Sequence, residues 1–157
     1  MSRVQLALNV SDLDEAIAFY SKLFSTEPAK VRPGYANFAI DEPALKLVLI
    51  EGAGKAGSIN HLGVEVASTE EVAAATGRLS GQGLATAVEE STTCCYAVQD
   101  KVWVDGPDGA AWEIYTVLAD ADSPEGLGGD ERCCTSDSAP VDPPAKVGDA
   151  ASGSRCC

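Results

Sequence analysis

The sequence predicts an α+β chain in which two βαβββ modules set their sheets side by side and curl them into a half-open barrel. Three observations predict it. Gln5-Leu6-Ala7-Leu8-Asn9-Val10 lies in register over His61-Leu62-Gly63-Val64-Glu65-Val66, so one strand pattern opens each half of the chain. Each of these strands runs into a helix start and then into three further strand-like segments, with apolar residues alternating at the period of two expected of half-buried strands. After Val117-Leu118-Ala119 the composition turns to Gly, Ser, Asp, Pro and Ala, which cannot offset the entropy of ordering, so residues 1–119 read as the folded domain and 120–157 as a disordered tail.

The elements follow in order. Ser11-Asp12-Leu13-Asp14-Glu15 begins the first helix, and Leu13, Ile17, Tyr20 and Phe24 give it an apolar stripe. Gly34 follows as a stop, with strands around Ala29 to Val31, Tyr35 to Ile40 and Leu45 to Glu51 closing a module over 3–51. In the second module, over 58–118, Ser68 and Glu71 have capping-box spacing and Val72, Ala75 and Leu79 make a thinner stripe. Gly81-Gln82-Gly83 ends that helix. Strands around Ala85 to Val88, Cys94 to Trp103 and Ala111 to Val117 follow, the last two joined at the turn Asp105-Gly106-Pro107-Asp108-Gly109. Two modules joined this way enclose a concave face suited to a small ligand.

Charge narrows the partners. A formal net charge of -13 repels phosphate backbones and anionic membrane surfaces, which excludes nucleic acid and membrane and favours a small molecule. Met1-Ser2-Arg3 leads straight into a strand with no signal-like apolar segment, and no apolar run reaches membrane-spanning length, so a cytoplasmic location is expected.

All 6 cysteines stand in adjacent pairs, Cys94–Cys95, Cys133–Cys134 and Cys156–Cys157. Neighbouring residues form a strained disulfide, so paired reduced thiols are expected, in keeping with a reducing cytosol. Two sulfurs at one place suit a soft acceptor such as Cu(I), Cd(II) or trivalent arsenic. Successive strand side chains point to opposite faces, so Cys94 and Cys95 can grip one atom only from a loop or kink. The polar run Glu89-Glu90-Ser91-Thr92-Thr93 upstream leads us to expect a mobile loop there. The tail cysteines Cys133, Cys134, Cys156 and Cys157 have no argued geometry and are expected to be dispensable, the alternative being that they scavenge arsenic or another soft metal and raise its local concentration by tethering. Lys101 is expected on the surface, its other reading being to lower a thiol pKa or to neutralise an anion in the cavity, and Tyr96, Trp103 and Tyr115 are expected in the core or lining an apolar pocket.

The set Gln5, Leu8, Val10, Asp12, Leu13, with Phe19-Tyr20 and Leu23-Phe24, and in the second half His61-Leu62-Gly63-Val64 and Trp112-Glu113-Ile114-Tyr115 after the Gly-rich turn, resembles the vicinal oxygen chelate superfamily over Arg3 to Leu118. That resemblance implies a metal held by Gln5, His61 and Glu113, a facial triad in which an amide replaces one imidazole. The repeat relates Gln5 to His61, and alternation puts Glu113 and Tyr115 on one strand face. His61 is the single histidine of the chain. Gln5 stands open between direct ligand and hydrogen-bond donor.

A narrower likeness runs through Lys30 to Phe38, Asn60-His61 and Thr92-Thr93-Cys94-Cys95-Tyr96-Ala97-Val98-Gln99-Asp100-Lys101. It is similar to the ArsI carbon–arsenic lyases and to the cadmium-induced CadI proteins. The resemblance implies a lyase of dioxygenase type that uses Fe(II) and O2 to cleave a trivalent organoarsenical, such as methylarsonous acid or a reduced aromatic arsenical, to arsenite. Cys94 and Cys95 would bind the arsenic, and a homodimer is compatible. Two other functions stay open on the same residues: a CadI-like soft-metal-binding resistance protein without turnover, and a glyoxalase-like isomerase.

Overall fold

The computed structural model describes residues 2–122. Ten elements follow the expected order: β1 (Arg3–Val10), α1 (Leu13–Phe24), β2 (Lys30–Arg32), β3 (Tyr35–Ile40), β4 (Leu45–Glu51), β5 (Ile59–Glu65), α2 (Thr69–Gly81), β6 (Ala87–Cys94), β7 (Ala97–Asp105) and β8 (Ala111–Asp120). They form one eight-stranded sheet in the order β2-β3-β4-β1-β5-β8-β7-β6. The first strand of each module runs parallel to its last, and the modules join where β1 pairs antiparallel with β5.

That seam carries the repeat's symmetry. Leu6 pairs Leu62, Gln5 pairs Gly63 and Ala7 pairs His61, so Gln5 and His61 stand as two-fold mates on either side of the Leu6–Leu62 rung. The β5–β8 register sets Glu113 beside Gly63, and in the first module the residue in the same relation is Val48 beside Ala7.

Alternation sorts the two faces. Leu6, Leu8 and Val10 turn outward with Phe38, Ile40, Leu47 and Leu49 to meet Leu13, Ile17, Tyr20 and Phe24 of α1. Burying a Phe or Leu of this kind contributes roughly 2 kcal/mol. On the second module Val72 and Leu79 of α2 pack on Val102, Val104 and Ile114. Gln5, Ala7 and Asn9 turn the other way, and all three are buried. The sheet curls so far that its two ends meet: Lys30 on edge strand β2 donates to the Tyr96 carbonyl at the β6–β7 turn, 3.1 Å, and ion-pairs with Asp120 at the end of β8.

The helix caps match expectation. Asp12 accepts from Glu15 N at 2.8 Å, while Ser68 accepts from Glu71 N and the Glu71 carboxylate accepts from Ala67 N. The stop of α1 does not lie where the sequence suggested. Ser25 ends the helix in a left-handed conformation with φ 49, and Gly34, φ 69, belongs to the β2–β3 turn instead. At the other boundary β8 continues through Asp120, which pairs with Ala97, so the folded body runs slightly beyond the composition break at residue 119. Cys133, Cys134, Cys156 and Cys157 lie outside the described residues.

Where the seam meets water, Glu65 receives Arg3 Nε at 3.0 Å and Arg3 Nη2 at 3.2 Å, with Lys46 Nζ at 3.5 Å. Partial burial alone would raise the Glu65 carboxyl, but the hydrogen bonds from Arg3 and the charge of Lys46 outweigh it and hold the group below its ordinary value. The unfolded chain therefore takes up this proton first as pH falls. Stability from the cluster is complete above the usual carboxylate value near 4.5 and is lost as pH drops through the lower folded value. Thermal melts from pH 7 to 3 should show that acid loss, and Arg3→Gln should flatten its acid limb.

Candidate active site

At the centre of the concave face three side chains meet. Gln5 Nε2 donates to Glu113 Oε1 at 2.7 Å and to His61 Nε2 at 3.0 Å, and His61 Nε2 is 3.5 Å from Glu113 Oε1. All three residues are buried. Gly63 makes the approach feasible, for it lies between Gln5 and Glu113 in the sheet, and a Cβ there would stand 3.0 Å from Glu113 Cγ and 3.4 Å from Gln5 Cβ.

His61 is oriented from behind. Its Nδ1–H donates to Asn60 Oδ1 at 2.7 Å, which turns the Nε2 lone pair toward Gln5 and Glu113. Asn60 donates in turn to Asn9 Oδ1 at 3.0 Å, and Asn9 donates to Ser58 Oγ at 2.9 Å. Gly54 leaves room for Asn9, since a Cβ at that position would sit 2.8 Å from Asn9 Nδ2. Such outer partners set the tautomer and basicity of a ligating histidine. Asn60→Ala should therefore weaken divalent-metal affinity by about 10- to 100-fold while leaving the fold intact, as titration with Fe(II) or Mn(II) and circular dichroism would check.

Glu113 is held ionised. Complete burial would raise its carboxyl, but the Lys101 charge and the hydrogen bond and charge of His61 bring it down to about 2. Lys101, expected on the surface, is only 1% exposed, and its Nζ lies 3.0 Å from Glu113 Oε2. The two form an ion pair buried on both sides. Trp103 stacks edge-on to His61 at 5.6 Å and is buried, like Tyr115. The Tyr115 hydroxyl donates to Gln5 Oε1 at 2.5 Å and lies 3.2 Å from Glu65 Oε2. Burial first, and then the carboxylates Glu65 and Glu113, push this phenol up, so it stays protonated.

The three donors suit a divalent metal in spacing. Ligands about 2.1 Å from an ion, arranged on one octahedral face, stand about 3 Å from one another. The edges here are 2.7, 3.0 and 3.5 Å, the first two measured to the Gln5 amide nitrogen, whose place the amide oxygen takes if the group is turned over. Among the described residues no group of three His, Cys, Asp or Glu is placed to hold a metal, and the side chain that meets His61 and Glu113 here is the Gln5 amide.

The cysteine pair occupies a hairpin turn rather than a mobile loop. Glu89 to Thr93 belong to β6, with a bulge between Glu89 and Thr92 and Ser91 at φ 49. Cys94 pairs with Ala97, leaving Cys95 and Tyr96 as a two-residue turn with φ 53 and 61. Both values belong to the left-handed region, where hairpins of this length ordinarily place Gly or Asn. Two such non-glycine residues cost on the order of 1 kcal/mol each, and strain of that kind concentrates at functional sites. Tyr96 anchors the turn, its ring 5.4 Å from Tyr35, its hydroxyl donating to Pro33 O and its carbonyl accepting from Lys30 and Ala121.

The turn brings the two sulfurs to 3.3 Å, which a regular strand would not, and this is too long for a bond between them. Cys95 is not in a disulfide. Cys94, Cys95 and Tyr96 pack on Ala7, Tyr35, Val48 and Ile50, inside the curl of the sheet. Cys95 opens on a cavity of about 200 Å³ whose wall also includes Tyr35, Asn37, Lys46 and Gln99.

One strand joins the two groups of residues. Ala97, Gln99, Lys101 and Trp103 alternate along β7 on the concave side, beginning at the cysteine turn and ending beside Glu113 and His61. The structure thus brings Gln5, His61 and Glu113 into contact and sets Cys94 and Cys95 at the far end of the same face. The sequence did not disclose Asn9, Asn60 and Ser58 as the support of His61, nor Lys101 as the partner of Glu113. The one available hint was Asn60, adjacent to the single histidine.

Comparison with known proteins agrees with this architecture. The Glyoxalase/Bleomycin resistance protein/Dioxygenase superfamily matches residues 3–114. The chain is 59% identical over 158 residues to a protein of Thermomonospora curvata named trivalent organoarsenical cleaving enzyme, covering 100% of both chains. It is 63% identical over 123 residues to the cadmium-induced protein CadI of Mycobacterium tuberculosis, covering 78% of this chain and 81% of the relative. Among solved structures, an extradiol ring-cleaving dioxygenase from B. fuscum aligns with a TM-score of 0.57 at 19% identity, over 76% of this chain and 34% of that one, a likeness of fold.

Proposed function

This chain belongs to the Glyoxalase/Bleomycin resistance protein/Dioxygenase superfamily, and from that premise we propose that it cleaves the carbon–arsenic bond of trivalent organoarsenicals, releasing arsenite. The observation that carries the reading is the placement of a two-sulfur turn and a Gln–His–Glu cluster on one buried face, joined by β7. The relative named as an organoarsenical cleaving enzyme supports it.

When Cys94 and Cys95 are both reduced, their thiols displace the two hydroxyls of an arsonous acid, forming two As–S bonds and releasing two waters. The organic group is left as the third substituent. Burial of the turn excludes water, and the Tyr96 anchors hold the sulfurs to one side of the cavity. Fe(II) held by Gln5, His61 and Glu113 would supply the O2 chemistry that oxidises the carbon fragment. For Gln5 to ligate by oxygen, its amide turns over. Tyr115 accommodates that, since its hydroxyl can accept from Nε2 while donating to Glu65. Lys101 keeps Glu113 ionised before any ion arrives. A cytoplasmic location belongs to the same reading.

The likeness to a cadmium-induced protein favours a second reading, sequestration of a soft metal by the same sulfurs without turnover. Anaerobic reconstitution with Fe(II), followed by methylarsonous acid and air, separates the two. Arsenite release and O2 uptake, both absent from a metal-free control, are expected for cleavage. Stoichiometric binding with no arsenite would establish sequestration instead.

A further inference from the structure

Gln5, Gly63, Glu113 and Trp103 form one rung across the sheet, since Gln5 pairs Gly63, Gly63 pairs Glu113 and Glu113 pairs Trp103. Gln5 and Glu113 are two corners of the proposed metal site, and Trp103 stands at the other end of the rung from Gln5. Its ring lies edge-on to His61, with centroids 5.6 Å apart, and Lys101 Nζ is 5.3 Å from the ring centre. The indole thus borders the cluster on the side away from Gln5.

Trp103 is 1% exposed, and its Nε1 has no hydrogen-bond partner. A buried indole N–H ordinarily finds an acceptor, because without one it forfeits the hydrogen bond it makes to water in the unfolded chain. The acceptors of the cluster are already engaged. Glu113 Oε1 and His61 Nε2 both receive Gln5 Nε2, Glu113 Oε2 faces Lys101 Nζ, and His61 Nδ1 is held by Asn60. An aromatic ring without a nitrogen would pack on His61 at no such penalty, so packing alone does not account for the donor.

From this we infer that Trp103 Nε1–H is the hydrogen-bond donor to a small exogenous acceptor, an oxygen species or anion of a few atoms, that shares a divalent ion with Gln5, His61 and Glu113. The inference rests on the metal-site reading above and adds a further residue to that site. Its consequence is selectivity. A fixed donor beside the open positions favours a ligand that gathers negative charge on its outer atom, as dioxygen does when it accepts electrons. Lys101 and Trp103 act differently there, since the ammonium is matched by Glu113 whereas the indole N–H remains for the incoming ligand.

The test uses the full chain loaded with Zn(II) for nuclear magnetic resonance or with Co(II) for absorption, and azide as the acceptor. Isotope-labelled tryptophan gives two indole signals, since Trp103 and Trp112 are the 2 tryptophans of the chain, and Trp112→Phe identifies them. Azide should move the Trp103 indole proton downfield and slow its exchange, with no such change in metal-free protein. In the Co(II) protein Trp103→Phe should weaken azide about tenfold, the effect of one hydrogen bond to a charged acceptor, with Co(II) affinity unchanged. An unmoved Trp103 signal at azide saturation, the same shift without metal, or equal azide affinity in Trp103→Phe would each overturn the inference. A chain that takes up neither ion, or holds one but no azide, overturns it as well. The signal of the unmodified protein decides the matter even if the variant fails to fold. A Trp103 shift with no arsenite after Fe(II) and air would sink the cleavage reading and leave the donor role standing, and arsenite release beside an unmoved signal would do the reverse.

Discussion

Replacing His61 by alanine should abolish Fe(II) binding and reduce turnover by about three orders of magnitude or more, the scale of the several kcal/mol that a bound metal contributes. No second imidazole exists in the chain to take its place. Glu113→Ala should have the same effect on metal and a further effect on folding, because it removes the carboxylate facing Lys101 Nζ at 3.0 Å inside the protein. Breaking a buried pair in this way costs roughly 3–5 kcal/mol. The double variant Glu113→Ala with Lys101→Met separates these effects: it should recover thermal stability and still hold no iron. Gln5→Ala should be milder, since water can occupy the vacated position. Metal content after reconstitution is the deciding measurement, and full iron occupancy in His61→Ala would refute the assignment.

The second large effect concerns sulfur. With reductant present, Cys94→Ser and Cys95→Ser should each lose organoarsenical affinity and turnover by about 100-fold or more while retaining Fe(II), because As(III) prefers sulfur and the nitrogen-and-oxygen cluster does not depend on the thiols. Replacing Cys133, Cys134, Cys156 and Cys157 together, in reduced protein, should leave the reaction largely intact. A tail variant without activity beside a fully active Cys94→Ser protein would show that the arsenic-binding sulfurs lie elsewhere. Isothermal titration with a trivalent arsenical, alongside iron analysis, reads both quantities.

What the sequence disclosed and what it withheld have physical reasons. The repeat was legible because strands that open equivalent modules share a pattern, and that alone related Gln5 to His61 before any pairing was known. Alternation along β8 was equally plain, and Glu113 and Tyr115 do share the buried face while Trp112 faces out. Lys101 was not legible. A lysine on an alternating strand looks solvent-facing until the carboxylate twelve residues along is known to lie opposite it. The Cys95–Tyr96 turn was concealed for another reason, since its two positive-φ positions carry neither Gly nor Asn, and packing of Tyr96 compensates for the missing turn residues. Ser25 concealed the end of α1 in the same way. The chain from Ser58 through Asn9 and Asn60 to His61 crosses between segments about fifty residues apart, and only the β1–β5 pairing brings it together.

The two-fold relation across the β1–β5 seam bears on how such a site could have arisen. An assembly of two identical modules would present two identical donors at the positions of Gln5 and His61, and two carboxylates or none at those of Glu113 and Val48. One imidazole, one amide and one carboxylate cannot be reached by any homodimer of a single module. Carrying both halves in one chain frees each position to differ, so the inequality of these three side chains requires the two modules to be joined.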